Sequence, residues 1–211
     1  MRRLLLLMFV ATVLSVGRPA LAQALAPLVT AEGKVACIQG MTGIGHPSRW
    51  EAVPDSEASY GWALTETGED ATDMHFPICI CQGLAARDVS ATLRFSPISG
   101  SKAQTAGLVL RAQSANDYYV VAANALDGSV RLFRMFGGRR AQLAAKDGTI
   151  AANQWHDLKV TLVGDRFEVW LDQVLKFNTS DKNLERPGAI GVWTQADSLI
   201  RFGALVIGPP S

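Results

Sequence analysis

The sequence predicts an all-β fold, a sandwich or barrel, on three observations. From about residue 76 onward, apolar residues alternate with polar ones along short runs rich in β-branched and aromatic side chains. These runs recur at intervals of about 8 to 12 residues, the rhythm of an all-β domain. Between them stand turn residues: Asp127-Gly128, Gly137-Gly138, Asp147-Gly148, Gly164-Asp165 and Pro187-Gly188. Links this short join antiparallel neighbours.

In chain order, the alternation marks strands over Phe76 to Gln82, Asp88 to Pro97, Thr105 to Gln113, Tyr118 to Asn124, Ser129 to Phe136 and Ala141 to Ala144. It continues through Trp155 to Val163, Arg166 to Leu171, Val174 to Asn178, Ala189 to Thr194 and Leu199 to Ile207. Upstream, residues 23–75 are loop-rich: Gly43, Gly45, Pro47 and Pro54 break brief apolar pieces, so this section is expected to wrap the fold as loops with one or two strands. No convincing helix of about 10 or more residues and no solenoid or propeller repeat is present.

The first 22 residues read as an export signal. Arg2 and Arg3 precede an apolar run to about Gly17, and Ala20-Leu21-Ala22 supplies the small-x-small cleavage pattern. The expected mature chain is therefore residues 23–211, one exported domain, periplasmic or extracellular. Its longest apolar run is well below the roughly 20 residues that cross a bilayer, so membrane insertion of the mature chain is not expected. Taking Arg2, Arg3 and Arg18 from 20 basic residues leaves 17 against 19 acidic ones, a formal charge of −2. Such a balance exerts no strong electrostatic claim on nucleic acid or anionic lipid. Nothing in the pattern calls for a cofactor or specifies an oligomer.

Three cysteines in an exported chain point to one disulfide, from Cys37 to either Cys79 or Cys81, tying the N-terminal section to the first clear strand. Cys79, Cys81 and His75 share a strand face, but their spacing lacks the two-to-four-residue gap of thiolate ligand pairs, so no metal site is assigned. No serine stands in a nucleophile elbow, and the three histidines show no i, i+4 pairing. In the run 165–172, Phe167, Val169 and Leu171 form one face while Glu168, Trp170 and Asp172 form the other. Glu168 and Asp172 are then about 13 Å apart along a strand, beyond the separation of a glycosidase carboxylate pair. Ile190 and Val192 likewise leave Trp193 and Gln195 on the opposite face. Two tryptophans thus stand opposite aliphatic stripes, where an indole beside amide and carboxylate groups can stack on a sugar ring. If the N-terminal section covers that face, both are core instead. Arg111 and Asn124, with Gln113 and Tyr118, form a second polar set on adjacent strands.

The stretch Asn116-Asp117-Tyr118-Tyr119-Val120-Val121-Ala122-Ala123-Asn124-Ala125-Leu126, followed by Ser129-Val130-Arg131-Leu132, resembles the laminin-G-like, concanavalin-like family labelled 3-keto-disaccharide hydrolase domain. The likeness extends through Gln154-Trp155-His156, Gly164-Asp165-Arg166-Phe167 and the run from Gly191 to Ser198, and covers roughly residues 89–207. The chain departs from that family at Ala122, where relatives carry Arg, and at Gly203 and Ala204, where they carry an acidic pair. The resemblance implies an antiparallel two-sheet jelly roll whose concave sheet face handles glycans or glycosides. Ligand-binding candidates are then Trp170, Trp193, Gln195, Arg111 and Asn124, and the expected function is glycan or glycoside recognition. An enzymatic alternative follows from the family label. A 3-keto group acidifies the neighbouring ring proton, so one base, Glu168 or His156, could drive elimination followed by hydration. A second alternative is a protein-interaction domain of the cell envelope.

Overall fold

The computed structural model describes residues 23–210; the expected export signal, residues 1–22, lies outside them. The described residues form β1 (Ala24–Ala26), β2 (Cys37–Gly43), β3 (Trp50–Pro54), β4 (Trp62–Glu66), β5 (His75–Ala86), β6 (Val89–Ser99), β7 (Thr105–Ser114) and β8 (Asp117–Asn124). Then follow β9 (Ser129–Phe136), β10 (Arg139–Asp147), β11 (His156–Val163), β12 (Arg166–Leu171), β13 (Val174–Ser180), β14 (Gly188–Thr194) and β15 (Leu199–Gly208). The one helical piece among them is a single 3-10 turn at Ser59–Gly61. No described helix is long and apolar enough to cross a membrane.

Two antiparallel sheets pack face to face. One runs β13-β12-β11-β6-β15-β4-β3, with β1 paired to β15; the other runs β10-β9-β8-β7-β14-β5-β2. The alternation in the sequence dictates which side chains meet between them. Leu158, Val160 and Leu162 of β11 and Phe167, Val169 and Leu171 of β12 face Leu108 and Leu110 of β7, Val121 of β8 and Val192 of β14 in one buried cluster. At about 1.5–3 kcal/mol for each large apolar side chain fully removed from water, this layer dominates the folding free energy.

The N-terminal section contributes more than expected. It supplies four strands, not one or two: β1, β3 and β4 extend the eight-stranded sheet and β2 edges the seven-stranded one. Trp50 of β3 packs on Phe202 of β15 with ring centroids 5.8 Å apart, seating this section on the core. Cys37 of β2 is disulfide-bonded to Cys79 of β5. Cys81, the register partner of Cys37, is a buried free thiol whose pKa burial pushes up to about 12.

Among the residues that take left-handed backbone without being glycine, three belong to a turn and a bulge near the sequence candidates. Asp172 (φ 50°) and Gln173 (φ 66°) make the β12–β13 turn, and a web of contacts holds it. The Asp172 amide donates to the Asp157 carbonyl, and its carboxylate accepts from the Asp157 amide at 2.9 Å. Arg111 (φ 50°) sits where β7 bulges between Leu110 and Ser114.

A concave, filled sheet face and its cationic rim

The outer face of the seven-stranded sheet is concave. β2 and β8 lie four places apart in that sheet, about 19 Å if it were flat. Yet the Thr42 hydroxyl of β2 is 2.9 Å from the Tyr118 hydroxyl of β8, and it also donates to the Ala115 carbonyl at the β7–β8 hairpin. The curvature brings a second apolar cluster together on this face: Phe76, Ile78, Val109, Tyr118, Val120, Ala122, Phe133, Met135 and Trp193. Both faces of this sheet are therefore apolar, unlike an antiparallel sheet with one wet side.

Trp193 lies at the centre of that floor, 0% exposed. Its ring stacks on Phe76 at a centroid distance of 5.5 Å, and its Nε1–H donates to the Tyr118 hydroxyl at 3.2 Å. Gly107 runs beneath it: a Cβ there would come within 2.8 Å of Trp193 Cε3. Burial pushes the Tyr118 phenol up to about 12, so it remains a neutral donor and acceptor between Trp193 and Thr42.

What this face shows to solvent is its rim. Arg140 of β10 crosses the concavity, with its guanidinium carbon 4.7 Å from the centre of the Phe76 ring and 4.8 Å from that of Phe133. Its Nη1 donates to Gln195 Oε1 at 3.0 Å, while the Gln195 amide donates to the Asp73 carbonyl at 3.3 Å. Arg140 remains exposed, and Gln142, on the same face of β10, is exposed beside it. Desolvation against the rings lowers the Arg140 pKa without discharging it near neutral pH. The result is a planar donor fixed on an aromatic floor, with N–H groups beyond the one given to Gln195.

The expected site residues do not assemble as one groove. Trp170 and Trp193 both turn away from the aliphatic stripes, but their strands belong to opposite sheets, so the two indoles lie on opposite outer faces of the sandwich. Trp193 has no surface to offer a ligand. Trp170 is half-buried with Lys159 Nζ 5.1 Å above its ring, and Glu168 beside it is exposed, lining a cleft of about 450 Å³ with Arg166, Asn178 and Thr179. Arg111 is 1% exposed and acts as a clamp. Its guanidinium donates to the carbonyls of Arg87 (2.7 Å), Leu184 (3.0 Å) and Gly164 (2.5 Å), and Asp88 stands 3.5 Å away. Asn124 caps a turn by accepting from the Gln104 and Leu126 amides.

His156 is also occupied. Nδ1 lies 2.7 Å from Asp172 Oδ2 and Nε2 lies 2.9 Å from the Ala151 carbonyl, so both ring nitrogens face acceptors and neither is free to take a substrate proton. Of the sequence candidates, only Gln195 reaches the concave rim. Arg140 escaped notice because β10 starts two residues before the strand read from sequence, leaving it in the preceding turn, and Phe76 and Phe133 because alternation along β5 and β9 does not say that the two strands curve toward the same cation. The bulge between Gln142 and Ala144 then blurs the alternation.

A model of the laminin G domain matches residues 101–211. Among solved structures, the fold is similar to the carbohydrate-binding module CBM66 from Bacillus subtilis, with a TM-score of 0.63 and 18% identity over 80% of this chain and 97% of that one. It is also similar to the carbohydrate recognition domain of Emp47p (TM-score 0.56, 12% identity, 91% and 98% of the two chains). A Bacillus subtilis protein of unknown function with a galectin-like fold gives a TM-score of 0.55 at 10% identity, over 77% and 89% of the two chains. No curated protein matches the sequence.

Proposed function

The chain belongs to the laminin G domain family, and on that premise we propose that it recognises a glycan or glycoside at the concave rim built by Arg140, Gln142 and Gln195. The observation that carries the reading is the Arg140 guanidinium, held over the rings of Phe76 and Phe133, bonded to Gln195 and still exposed. A fixed planar fork can donate to neighbouring hydroxyls of one sugar without first losing side-chain entropy, which favours binding. The names of two similar structures, a carbohydrate-binding module and a carbohydrate recognition domain, support this ligand class. The enzymatic alternative, cleavage of 3-keto-glycosides, needs a base at the ligand. Glu168 lies on the other sheet and both His156 nitrogens are engaged, so binding is the reading we carry forward.

The Cys37–Cys79 disulfide supports the further proposal that the chain is exported, because such bonds persist in oxidising compartments. Mass measurement of the protein recovered from an envelope fraction tests it, with cleavage after Ala22 expected. Calorimetric titration of the full chain with methyl glycosides and soluble glycans tests recognition. Arg140→Ala is expected to weaken any binding at least about tenfold, and Arg140→Lys to restore little, because an ammonium lacks the planar fork. Binding unchanged in Arg140→Ala overturns the assignment to this rim.

A further inference from the structure

On the other side of the sandwich, the outer face of the eight-stranded sheet carries a cleft that the concave reading does not use. It measures about 430 Å³, within the range of about 300–1,000 Å³ typical of small-ligand sites, and is lined by Asp55, Glu57, Ser96, Asn153, Trp155 and Arg201 among others. The sheet is shaped to make it. A register shift in β15 between Phe202 and Ala204 leaves Gly203 in a bulge, and the Trp155 ring lies over that glycine. Any Cβ at Gly203 would come within 2.7 Å of Trp155 Cζ3, so glycine is what lets the indole lie down on the sheet. Arg94 sits 5.1 Å from the ring centre, and Trp155 Nε1–H donates to Glu57 Oε2 at 3.2 Å, fixing the ring's rotation. Trp155 stays half-buried, not sealed like Trp193.

The polar groups around that ring are paired but unsaturated. Arg201 Nη1 donates to Asp55 Oδ2 at 2.9 Å, yet the Arg201 side chain keeps 45% of its surface exposed. Glu57 is exposed and receives one hydrogen bond from the indole, leaving acceptor sites free. Two carboxylates, Asp55 and Glu57, stand against two guanidinium groups, Arg94 and Arg201, so the cleft has no surplus charge to draw an ion. A half-exposed indole flanked by a free carboxylate edge, a guanidinium and the Asn153 amide suits a ring with an apolar face and hydroxyls around its edge.

We propose that this cleft is a second saccharide site, taking a neutral sugar unit that packs against the exposed part of the Trp155 indole beside Gly203 and Arg94 while Glu57 and Arg201 hydrogen-bond vicinal hydroxyls. It shares the ligand class proposed for the concave rim and none of its residues. The test is amide and indole ¹H–¹⁵N spectroscopy of the full chain titrated with methyl glycosides of glucose, galactose, xylose and arabinose and with their β-linked trisaccharides. The Trp155 indole signal, assigned by its loss in Trp155→Phe, is expected to move on titration, in wild type and in Arg140→Ala alike. Glu57→Gln and Arg201→Gln, surface changes that leave the core intact, are expected to weaken that response about tenfold. Shifts confined to Arg140 and Gln195 overturn this site and leave the concave reading standing. Shifts at Trp155 alone support this site and overturn the other, and a silent spectrum at both places overturns both.

Discussion

Trp193 and Trp170 obey the same rule of alternation and meet opposite fates. Each turns away from an aliphatic stripe on its own strand, but Trp193 is sealed under a curved sheet while Trp170 stays half-exposed on the far side of the sandwich. The difference lies in curvature, not in the residue. Where the seven-stranded sheet folds its β2 edge and its β10 edge toward each other, Thr42, Tyr118 and Arg140 reach across strands that a flat sheet would keep apart. The outward side of that sheet thereby becomes a second core.

Replacing the two tryptophans one at a time tests that distinction most severely. Trp193→Ala removes a fully buried indole stacked on Phe76 and is expected to destabilise the protein by about 3–5 kcal/mol in urea unfolding. Trp170→Ala is expected to cost about 1 kcal/mol or less. Equal losses would mean that the outer faces do not differ as described. A smaller effect isolates the closure itself. Thr42→Val keeps the shape but removes the hydroxyl shared by Ala115 and Tyr118, leaving a buried phenol with one partner fewer, at a cost of about 1–3 kcal/mol. The same exchange at half-exposed Thr92 of β6, the register partner of Lys159 on the open side, is expected to stay within about 0.5 kcal/mol.

The eleven strands from β5 onward were legible because alternation and turn residues act locally, and each was read within a few residues of its ends. β2, β3 and β4 were not. An edge strand such as Cys-Ile-Gln-Gly-Met-Thr-Gly pairs on one side only, and its glycines carry no pattern. The candidate site was less legible still. Alternation tells inside from outside for one strand, but it does not say which sheet a strand joins, so Trp170 and Trp193 looked like neighbours. Nor does it encode curvature, which decides that Arg140 meets Phe76 from five strands away. Arg111 shows a further blind spot: a cation on polar parity reads as solvated until a bulge turns it onto three carbonyls.

Acid offers a graded way to loosen the filled face. Asp197 lies in the loop that carries Gln195 to the rim. Burial alone would raise its pKa, but the Ser101 hydroxyl and the amides of Ser101, Lys102 and Ala103 outweigh it and hold the carboxyl at about 2. A carboxyl depressed in the folded state stabilises it above the unfolded value near 3.9 and ceases to do so as pH falls toward the folded value. Stability is therefore expected to decline between about pH 4 and pH 2, and Asp197→Asn to flatten that part of the profile while lowering stability at neutral pH. A slope unchanged by the substitution would show that the loop is not held by this carboxylate.

The smallest effect belongs to the open side. Lys159 and Trp170 are cross-strand partners on β11 and β12, with the ammonium 5.1 Å from the ring centre. A cation over an exposed indole contributes about 0.5–1 kcal/mol, since water competes for the charge and the long side chain loses freedom in holding its place. A double-mutant cycle with Lys159→Met and Trp170→Leu isolates that coupling, because each change removes the pair while keeping the apolar stem. A coupling of that size, against the several kcal/mol expected at Trp193, is what separates an indole standing on a sheet from one built into it. A coupling as large as the Trp193 loss would place Trp170 in a desolvated setting and erase the difference between the two faces.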